Sequence, residues 1–289
     1  MADMTATTMA TYLPEVWSAQ ASITYRSNTV LTGLQDRRWE PEIGVGRGDT
    51  VNIPNFTQNT GATKRSTFGT GASITFDAVT ESQTQLAINQ MAYKAFRIPA
   101  EMSVQAMATY VPLLTDGIGQ AVALQVDSEI AADNSNGYDA FTAVGTDNVD
   151  VTDDVILDAI TVLDDANAPM DGRYFVVSPA TYASLLKTDR YVNSLYGTAI
   201  GPLAGDKGPG YKGSIYSVDI YQSNNLEAGT SGKKNAIHQR EAIAYAEQQG
   251  LRMLKDTNLE DGIFDQYVGY NVYGFKIVKS GFGREVDGK

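Results

Sequence analysis

The feature that most constrains the fold is a long apolar stripe before the middle of the chain. Its residues recur mostly every three or four positions, which places one face of a helix against a core. They are Ile98, Met102, Met107, Val111, Leu114, Ile118, Val122, Val126 and Ile130. Pro112 suits a first helical turn but not a helix interior, so we predict a helix from about residue 112 to Asp133. Its length would be about 32 Å at 1.5 Å per residue.

A second ordered unit follows between residues 152 and 186. Thr152–Asp154 is a helix start, with the Thr152 hydroxyl as cap and two acids near the positive end of the helix dipole. Arg173–Ser178 has the pattern of a buried strand, and Pro179 begins a short helix through Leu186. These elements predict an αβα unit. The buried face of its first helix would consist of Val155, Ile156, Ala159, Ile160 and Leu163.

Glycine-punctuated segments between Arg37 and Ile98 predict a long β-hairpin. Thr50–Pro54 and Ala72–Phe76 have the character of strands, and each follows closely spaced glycines. The centre of the hairpin, Gln58–Gly71, has Phe68 as its only large apolar side chain. It can bury little locally, so we expect it to gain its order from contacts elsewhere and to contribute little to the fold of its own subunit.

Two other segments show no sustained period. Residues 1–35 are polar and Thr-rich with scattered large apolar residues, which predicts an extended arm that needs another surface. Thr188–Gly213 is glycine-rich, and we expect a loop at a contact between subunits. Ser214–Tyr221 then predicts one strand, and Glu241–Glu247 predicts a helix or a strand. Tyr273, Phe275 and Ile277 alternate as in a strand.

The composition excludes several classes of protein. The 289 residues are 43% hydrophobic and 19% charged, which predicts an ordered chain with two or more lobes. The absence of cysteine excludes disulfides and thiolate metal sites and fits a reducing cytoplasm. The net charge of -12 disfavours a nucleic-acid binder. We find neither a signal peptide nor an apolar run of bilayer length, so we expect no secretion and no membrane insertion.

No motif predicts catalysis or a bound cofactor. His238 is the only histidine, so a multi-histidine metal site is impossible and we expect a structural role for it. Asp133–Asp139 is similar to a calcium loop but lacks the distal Glu, so we expect no calcium there. Gly44–Gly48 lacks the spacing of a phosphate-binding loop. The adjacent Asp164 and Asp165 would point in different directions on a helix.

Several segments resemble the major capsid proteins of tailed bacteriophages. Leu163–Pro169 followed by Gly172–Pro179 is similar to the helix-strand-helix unit of that family. Gly213–Asn225 is similar to the family's strand that leads towards the symmetry centres of the shell. Ala236–Gln248 and Asp261–Val278 resemble two later segments of the family. Each motif is weak alone, but their order is specific and spans nearly the whole chain.

The resemblance implies an α+β fold of the tailed-phage major capsid (Hong Kong-97-like) type. Its parts would be an N-terminal arm (1–35), an extended β-hairpin loop (36–92), a peripheral domain with a long spine helix (93–150 and 251–289) and an axial domain (151–250). The implied function is that of a self-assembling structural subunit of an icosahedral head enclosing double-stranded DNA. We expect no enzymatic activity and no cofactor.

The partners implied are other copies of the chain, arranged in hexamers and pentamers. The chain shows no long, charged, coiled-coil-like leader, so we expect a separate scaffolding protein, together with portal and decoration proteins. We expect packaged DNA without sequence-specific binding, no membrane, and a place in the virion after assembly in the host cytoplasm. The candidate residues of the subunit interface are Trp17, Lys64, Arg65, Phe68, Tyr196 and Tyr211.

Three other interpretations remain open from the sequence. An encapsulin nanocompartment has the same fold and differs in what it assembles with. An acidic hydrolase using two carboxylates is possible because 34 acidic residues always allow pairs. A phage tail or adhesin protein would need β repeats, and we find none.

Overall fold

The computed structural model describes residues 29–43, 48–56, 64, 81–99, 110–192, 207–258 and 263–289. Its helices are α1 (Leu31–Leu34), α2 (Tyr110–Ala132), α3 (Asp153–Asp165), α4 (Pro179–Leu185) and α5 (Asp189–Val192). Its strands are β1 (Thr50–Phe56), β2 (Glu81–Ala87), β3 (Gln90–Pro99), β4 (Ala143–Gly145), β5 (Arg173–Val177), β6 (Tyr211–Ile215), β7 (Val218–Gln222), β8 (Lys233–Gln239), β9 (Ile243–Asn258), β10 (Phe264–Ile277) and β11 (Gly283–Gly288).

The long predicted helix is confirmed as α2, which packs on a three-stranded antiparallel sheet of order β3-β10-β9. The helix begins two residues before Pro112, so the proline lies in the first turn, where backbone N–H groups have no partner within the helix. Gly269 on β10 permits close packing, since a Cβ there would lie 2.2 Å from Cγ2 of Ile118. The buried stripe of the helix consists of Ile118, Val122, Val126 and Ile130.

A six-stranded mixed sheet forms the second layer, in the order β4-β11-β8-β5-β7-β6. β4 runs parallel to β11 and β5 parallel to β7, whereas the other neighbours are antiparallel. Helix α3 covers this sheet with Ile156, Ala159, Ile160 and Leu163, which pack with Phe175 and Val177 of β5. The predicted αβα unit is therefore confirmed as α3, β5 and α4.

The connection from α3 to β5 is held by a buried arginine. Arg173 donates hydrogen bonds to the carbonyl oxygens of Ala168 at 2.7 Å and Pro169 at 2.9 Å. It also pairs with Asp164 at 2.7 Å. Asn167 lies in the same turn with a φ of 55°. Asp164 therefore helps to hold the turn between α3 and β5 through its ion pair with Arg173.

The prediction of a single strand over Ser214–Tyr221 is wrong. β6 and β7 form an antiparallel hairpin, and Tyr216 and Ser217 turn the chain with φ values of 49° and 64°. Turns of this kind favour Asn and Gly, so the sequence contains no ordinary signal for one here. The Tyr216 hydroxyl donates to Oδ1 of Asp153 at 2.8 Å, a contact distant in sequence that holds the turn.

Other local predictions have mixed outcomes. Thr152 is the residue before α3 as predicted, but its side chain makes no capping hydrogen bond. The predicted loop Thr188–Gly213 starts with the short helix α5 and ends in β6, and its residues 193–206 lie outside the described residues. Glu241–Glu247 follows the strand alternative, because β9 begins at Ile243. The predicted strand Ala72–Phe76 also lies outside the described residues.

Candidate subunit-interface surfaces

The base of the predicted hairpin is a two-stranded antiparallel pair of β1 and β2, in which Thr50 pairs with Ala87 and Phe56 with Glu81. Its apolar side chains lie in a buried cluster with Ala244 and Ala246 of β9. The members from the hairpin side are Ile43, Ile53, Leu86 and Ile88. The expectation that the hairpin adds little to its own subunit is therefore wrong for its base. The reason is that β2 continues into the central sheet through β3.

Three of the predicted interface residues belong to the predicted centre of the hairpin, Gln58–Gly71. Lys64 is exposed, whereas Arg65 and Phe68 lie outside the described residues. Trp17 and Tyr196 also lie outside them. Their roles at an interface stay predictions.

Tyr211, the remaining interface candidate, contacts its own subunit. Its ring meets Tyr221 edge-on at 5.6 Å between centroids, and Lys207 Nζ lies 5.5 Å from its ring centroid. The side chain is only partly buried. A role for Tyr211 at an interface stays a prediction.

A surface that the sequence analysis missed lies on the three-stranded sheet, on the side facing away from α2. Strand alternation places Tyr93, Tyr270 and Arg252 side by side across β3, β10 and β9, because their Cα atoms are register partners. Met91, Ala95, Val268 and Leu254 flank them on this face. Tyr93 is 66% exposed and Met91 57%. We call this surface the outer sheet face.

Exposed apolar residues that are contiguous across strands mark interaction sites, whereas single ones are common on any protein. The sequence contained a signal for the outer sheet face in the alternation of Met91 and Tyr93 with Ala92 and Lys94. That signal does not tell which face is buried. Only the packing of α2 on the opposite face decides it.

A buried carboxylate links the end of the N-terminal segment to α2. Asp127 accepts hydrogen bonds from the backbone N–H groups of Val30 at 2.7 Å and Thr32 at 3.1 Å, and from the Thr32 hydroxyl at 2.8 Å. It also lies 3.3 Å from the N–H of Leu31 and from the side-chain amide of Asn225. Asp127 therefore caps α1 from a distance and holds the residues at the start of this helix against α2.

Asp153 is a second carboxylate that gathers distant groups. It accepts hydrogen bonds from the hydroxyls of Tyr191 and Tyr216 and pairs with Arg190 at 2.6 Å. Burial, followed by the hydrogen bond to Asp153, raises the pKa of Tyr191. The carboxylate therefore joins α3, α5 and the β6–β7 turn.

The only histidine is buried between the two layers. Nε2 of His238 lies 3.5 Å from the hydroxyl of Tyr138, and that hydroxyl accepts a hydrogen bond from Gln35 Nε2 at 2.8 Å. Burial lowers the pKa of His238 to about 3, so the ring is neutral at physiological pH. This environment agrees with the structural role predicted for it.

Burial also shifts the pKa of a carboxyl group in the six-stranded sheet, that of Glu285 on β11. Burial, together with a hydrogen bond involving Asp287, raises the pKa of Glu285 to about 8. Lys234 lies 3.9 Å from Glu285 and pairs directly with Asp139. These groups join β8 and β11 to the turn after α2.

The segment that is similar to a calcium loop folds on itself. The Asp133 carboxylate accepts the backbone N–H groups of Ser135 at 2.7 Å and Asn136 at 3.1 Å. Within the described ranges, no group of three His, Cys, Asp or Glu residues is placed to hold a metal ion. In those ranges there is also no helix with the length and apolarity needed to cross a membrane.

The fold is similar to several solved phage structures over almost its whole length. A structure of Mycobacterium phage Che8 matches with a TM-score of 0.73 and 24% identity, covering 95% of this chain and 97% of that one. The capsid structure of the Cyanophage P-SCSP1u matches with a TM-score of 0.70 and 15% identity, covering 98% and 94%. The capsid of Myoviridae Phage XM1 matches with a TM-score of 0.67 and 13% identity, covering 97% and 98%.

These similarities show that the chain has the capsid fold of tailed phages, which confirms the expected α+β fold. Residues 63–283 match the sequence profile of the family described as phage capsid protein, and this range is more than half of the chain. The chain belongs to that family. No curated protein matches the sequence. The predicted function of a major capsid shell subunit is confirmed, and it is that of a structural protein of the virion.

Proposed function

We propose that this subunit assembles into hexamers and pentamers of an icosahedral head that encloses double-stranded DNA. The observation that carries the proposal is the outer sheet face, where the exposed Met91 and Tyr93 belong to a surface that is contiguous across three strands. Repeated contacts with neighbouring copies would cover such a face. The role is structural and not catalytic.

The proposed domain division supports this arrangement. The arm is 1–35, the extended loop 36–92, the peripheral domain 93–150 with 251–289, and the axial domain 151–250. The last part of the arm is not extended, because Val30, Leu31 and Leu34 pack in the core of the subunit around α1. Strands β4 and β11 come from the peripheral segments but pair in the six-stranded sheet. We therefore assign residues 143–145 and 283–288 to the axial sheet, which ties the two domains together.

The proposed partners are a separate scaffolding protein, a portal, decoration proteins and the packaged DNA, with assembly in the host cytoplasm. The net charge of -12 supports a shell that surrounds DNA without gripping it, because phosphates repel an acidic wall. The interface residues proposed are Trp17, Lys64, Arg65, Phe68, Tyr196 and Tyr211, joined by Met91 and Tyr93.

Electron microscopy of the purified chain, alone and co-produced with a scaffolding protein, tests the proposal. We expect uniform closed shells or capsomers, and shells that contain DNA when packaging components are supplied. Shells that form only around a protein cargo would favour an encapsulin, and a persistent monomer with hydrolase activity would contradict the proposal.

A single substitution tests the outer sheet face. Tyr93→Asp should leave the melting temperature of the subunit nearly unchanged, because the side chain is exposed, but it should prevent or weaken assembly. Met170→Asp is the matched control, since Met170 is 74% exposed in the turn between α3 and β5. Assembly of Tyr93→Asp at the wild-type level would show that this face is not an interface.

A further inference from the structure

The first 28 residues of the chain join the described part of the subunit beside α2. The first described residue at this end is Thr29. The hydrogen bonds from Val30 and Thr32 to Asp127 hold the next residues against α2. The preceding chain must therefore start beside α2 at a defined point.

A groove opens at that point between α2 and β9. Its lining includes Thr29, Gly119, Ala123, Leu251 and Met253, and its volume is about 480 Å³. The small side chains of Gly119 and Ala123 leave space between α2 and β9. At Gly119 this space is narrow, because an added Cβ would lie 3.2 Å from Cδ2 of Leu251. The wall formed by β9 is apolar and uncovered, because Leu251 is 49% and Met253 42% exposed.

The same groove borders an open sheet edge. β9 is the edge strand of the three-stranded sheet. Near its start, Asp36 covers this edge: its N–H donates to the Ile243 carbonyl at 3.1 Å, and its carbonyl accepts from Tyr245 at 2.9 Å. The ion pair of Arg37 with Glu247 at 2.9 Å extends this cover.

Within the described ranges, no backbone group pairs with the outer edge of β9 from Gln249 to Asn258. A long open edge is a site at which another extended segment adds by backbone hydrogen bonding. An apolar wall and an open edge together define a site for a strand with one apolar face.

We propose that residues 21–28 of the same chain dock in this groove as an added strand along the open edge of β9. Asp36 lies beside Ala244, and Thr29 lies beside Leu251 and Met253. The bridge at Asp36 is itself parallel to β9, but Thr29, on the other side of α1, lies further along β9 than Asp36. From Asp36 back to Thr29 the chain therefore advances along β9, and its continuation towards lower numbers would run antiparallel to that strand.

The sequence and length of this segment fit the site. Ala21, Ile23 and Tyr25 alternate with Ser22, Thr24 and Arg26, so one face of an extended segment is apolar and would meet Leu251 and Met253. The stretch Leu251–Thr257 spans about 23 Å at 3.3 Å per residue, which seven or eight residues can cover. Residues 1–20, including Trp17, would remain to reach a neighbouring subunit.

Engineered cysteines test the proposal in the full-length chain, which contains no native cysteine. Met253→Cys is combined in turn with Ser22→Cys, Ile23→Cys, Thr24→Cys or Tyr25→Cys, and the protein is oxidised and run on a denaturing, non-reducing gel. We expect at least one pair to form a disulfide within one chain, which migrates at monomer mass, because docking would bring the Cβ atoms within bonding reach.

The matched control is Leu254→Cys with the same partners. Leu254 is 46% exposed, close to Met253, but it lies on the outer sheet face, so its disulfide yield should be several-fold lower. Ala123→Trp should lower the Met253→Cys yield as well, because the indole would fill the groove from an exposed helix position. Melting temperatures check that each variant is folded.

Two results would overturn the proposal. Disulfide-linked dimers in place of monomers would place the segment in the groove of another subunit. Absence of any disulfide, with both thiols reactive to a maleimide, would show that the segment does not dock there. Shell formation is scored separately by microscopy, so a failure here is distinguishable from a failure of the proposed function.

Discussion

The carboxylate of Asp127 accepts the backbone N–H of Val30 at 2.7 Å across 97 residues of sequence. This bond joins the end of the N-terminal segment to the C-terminal half of α2. Both residues are buried, so the bond lies away from bulk water. The first prediction follows from this contact.

Asp127→Ala should lower the free energy of unfolding by about 3 kcal/mol, because it leaves buried N–H groups of α1 without acceptors. Asp127→Asn keeps one acceptor oxygen and should cost less. Urea denaturation of the subunit measures both. Asp158→Ala, at an exposed position of α3, is the control and should change stability little. Equal stability of Asp127→Ala and the control would show that the cap is unimportant.

Val122→Asp tests the buried stripe of α2. Val122 is 2% exposed, and a carboxylate there would be buried without a partner, so we expect a loss of about 4 kcal/mol and mostly insoluble protein. Gln125→Asp changes an exposed residue of the same helix and should remain soluble. Expression yield and thermal melting compare the two. A soluble, assembling Val122→Asp protein would contradict the packing of this helix.

Arg173→Met tests the turn between α3 and β5. The substitution keeps an apolar stem but removes the donors to the carbonyl oxygens of Ala168 and Pro169, so we expect a loss of about 3 kcal/mol. Arg252→Met, at an exposed position of β9, provides the control. The midpoint of urea unfolding should fall for the first variant and stay nearly constant for the second.

His238 predicts a dependence of stability on pH. Its pKa is about 3 in the folded state and about 6.5 when unfolded, so between these values the unfolded chain binds more protons. Its contribution is therefore complete above pH 6.5 and falls by about 1.4 kcal/mol for each unit below it. Glu285 has the opposite effect. Its pKa is raised to about 8 in the folded state, so between its ordinary pKa and about 8 the folded subunit binds more protons and rising pH lowers the stability.

Comparison with His238→Phe isolates the histidine from Glu285. Unfolding free energies at pH 7.5, 6 and 5 should converge between wild type and His238→Phe as the pH falls, because only wild type loses stability through the imidazole. Parallel curves would mean that His238 takes up a proton in the folded subunit as readily as in the unfolded chain.

Replacement of Lys64 and Arg65 by Glu tests the outer part of the hairpin. These residues are a basic pair on an acidic chain, and we expect them to meet an acidic patch of a neighbouring subunit. The double variant should keep the melting temperature of the monomer but assemble poorly, most clearly at low salt, where such contacts are least screened. Normal assembly at every salt concentration would refute the contact.

Local pattern was enough for the elements whose burial follows one period. The spacing of Ile118, Val122, Val126 and Ile130 placed α2 to within two residues at its start, because a helix shows its buried face in its own sequence. The apolar run in Arg173–Ser178 and the proline that follows it likewise identified the strand and the next helix of the helix-strand-helix unit. The order of such units carried the resemblance to phage capsid proteins.

Tertiary structure alone decided what depends on residues far apart in the chain. The turn at Tyr216 and Ser217 has no sequence signal, since the hydroxyl contact with Asp153 spans 63 residues. Likewise, the alternation of Met91 and Tyr93 predicts a strand but leaves open which face α2 covers. The groove beside Leu251 exists only because α2 and β9 meet there. Sequence thus determined the elements, whereas contacts between them determined the surfaces that other segments and subunits can bind.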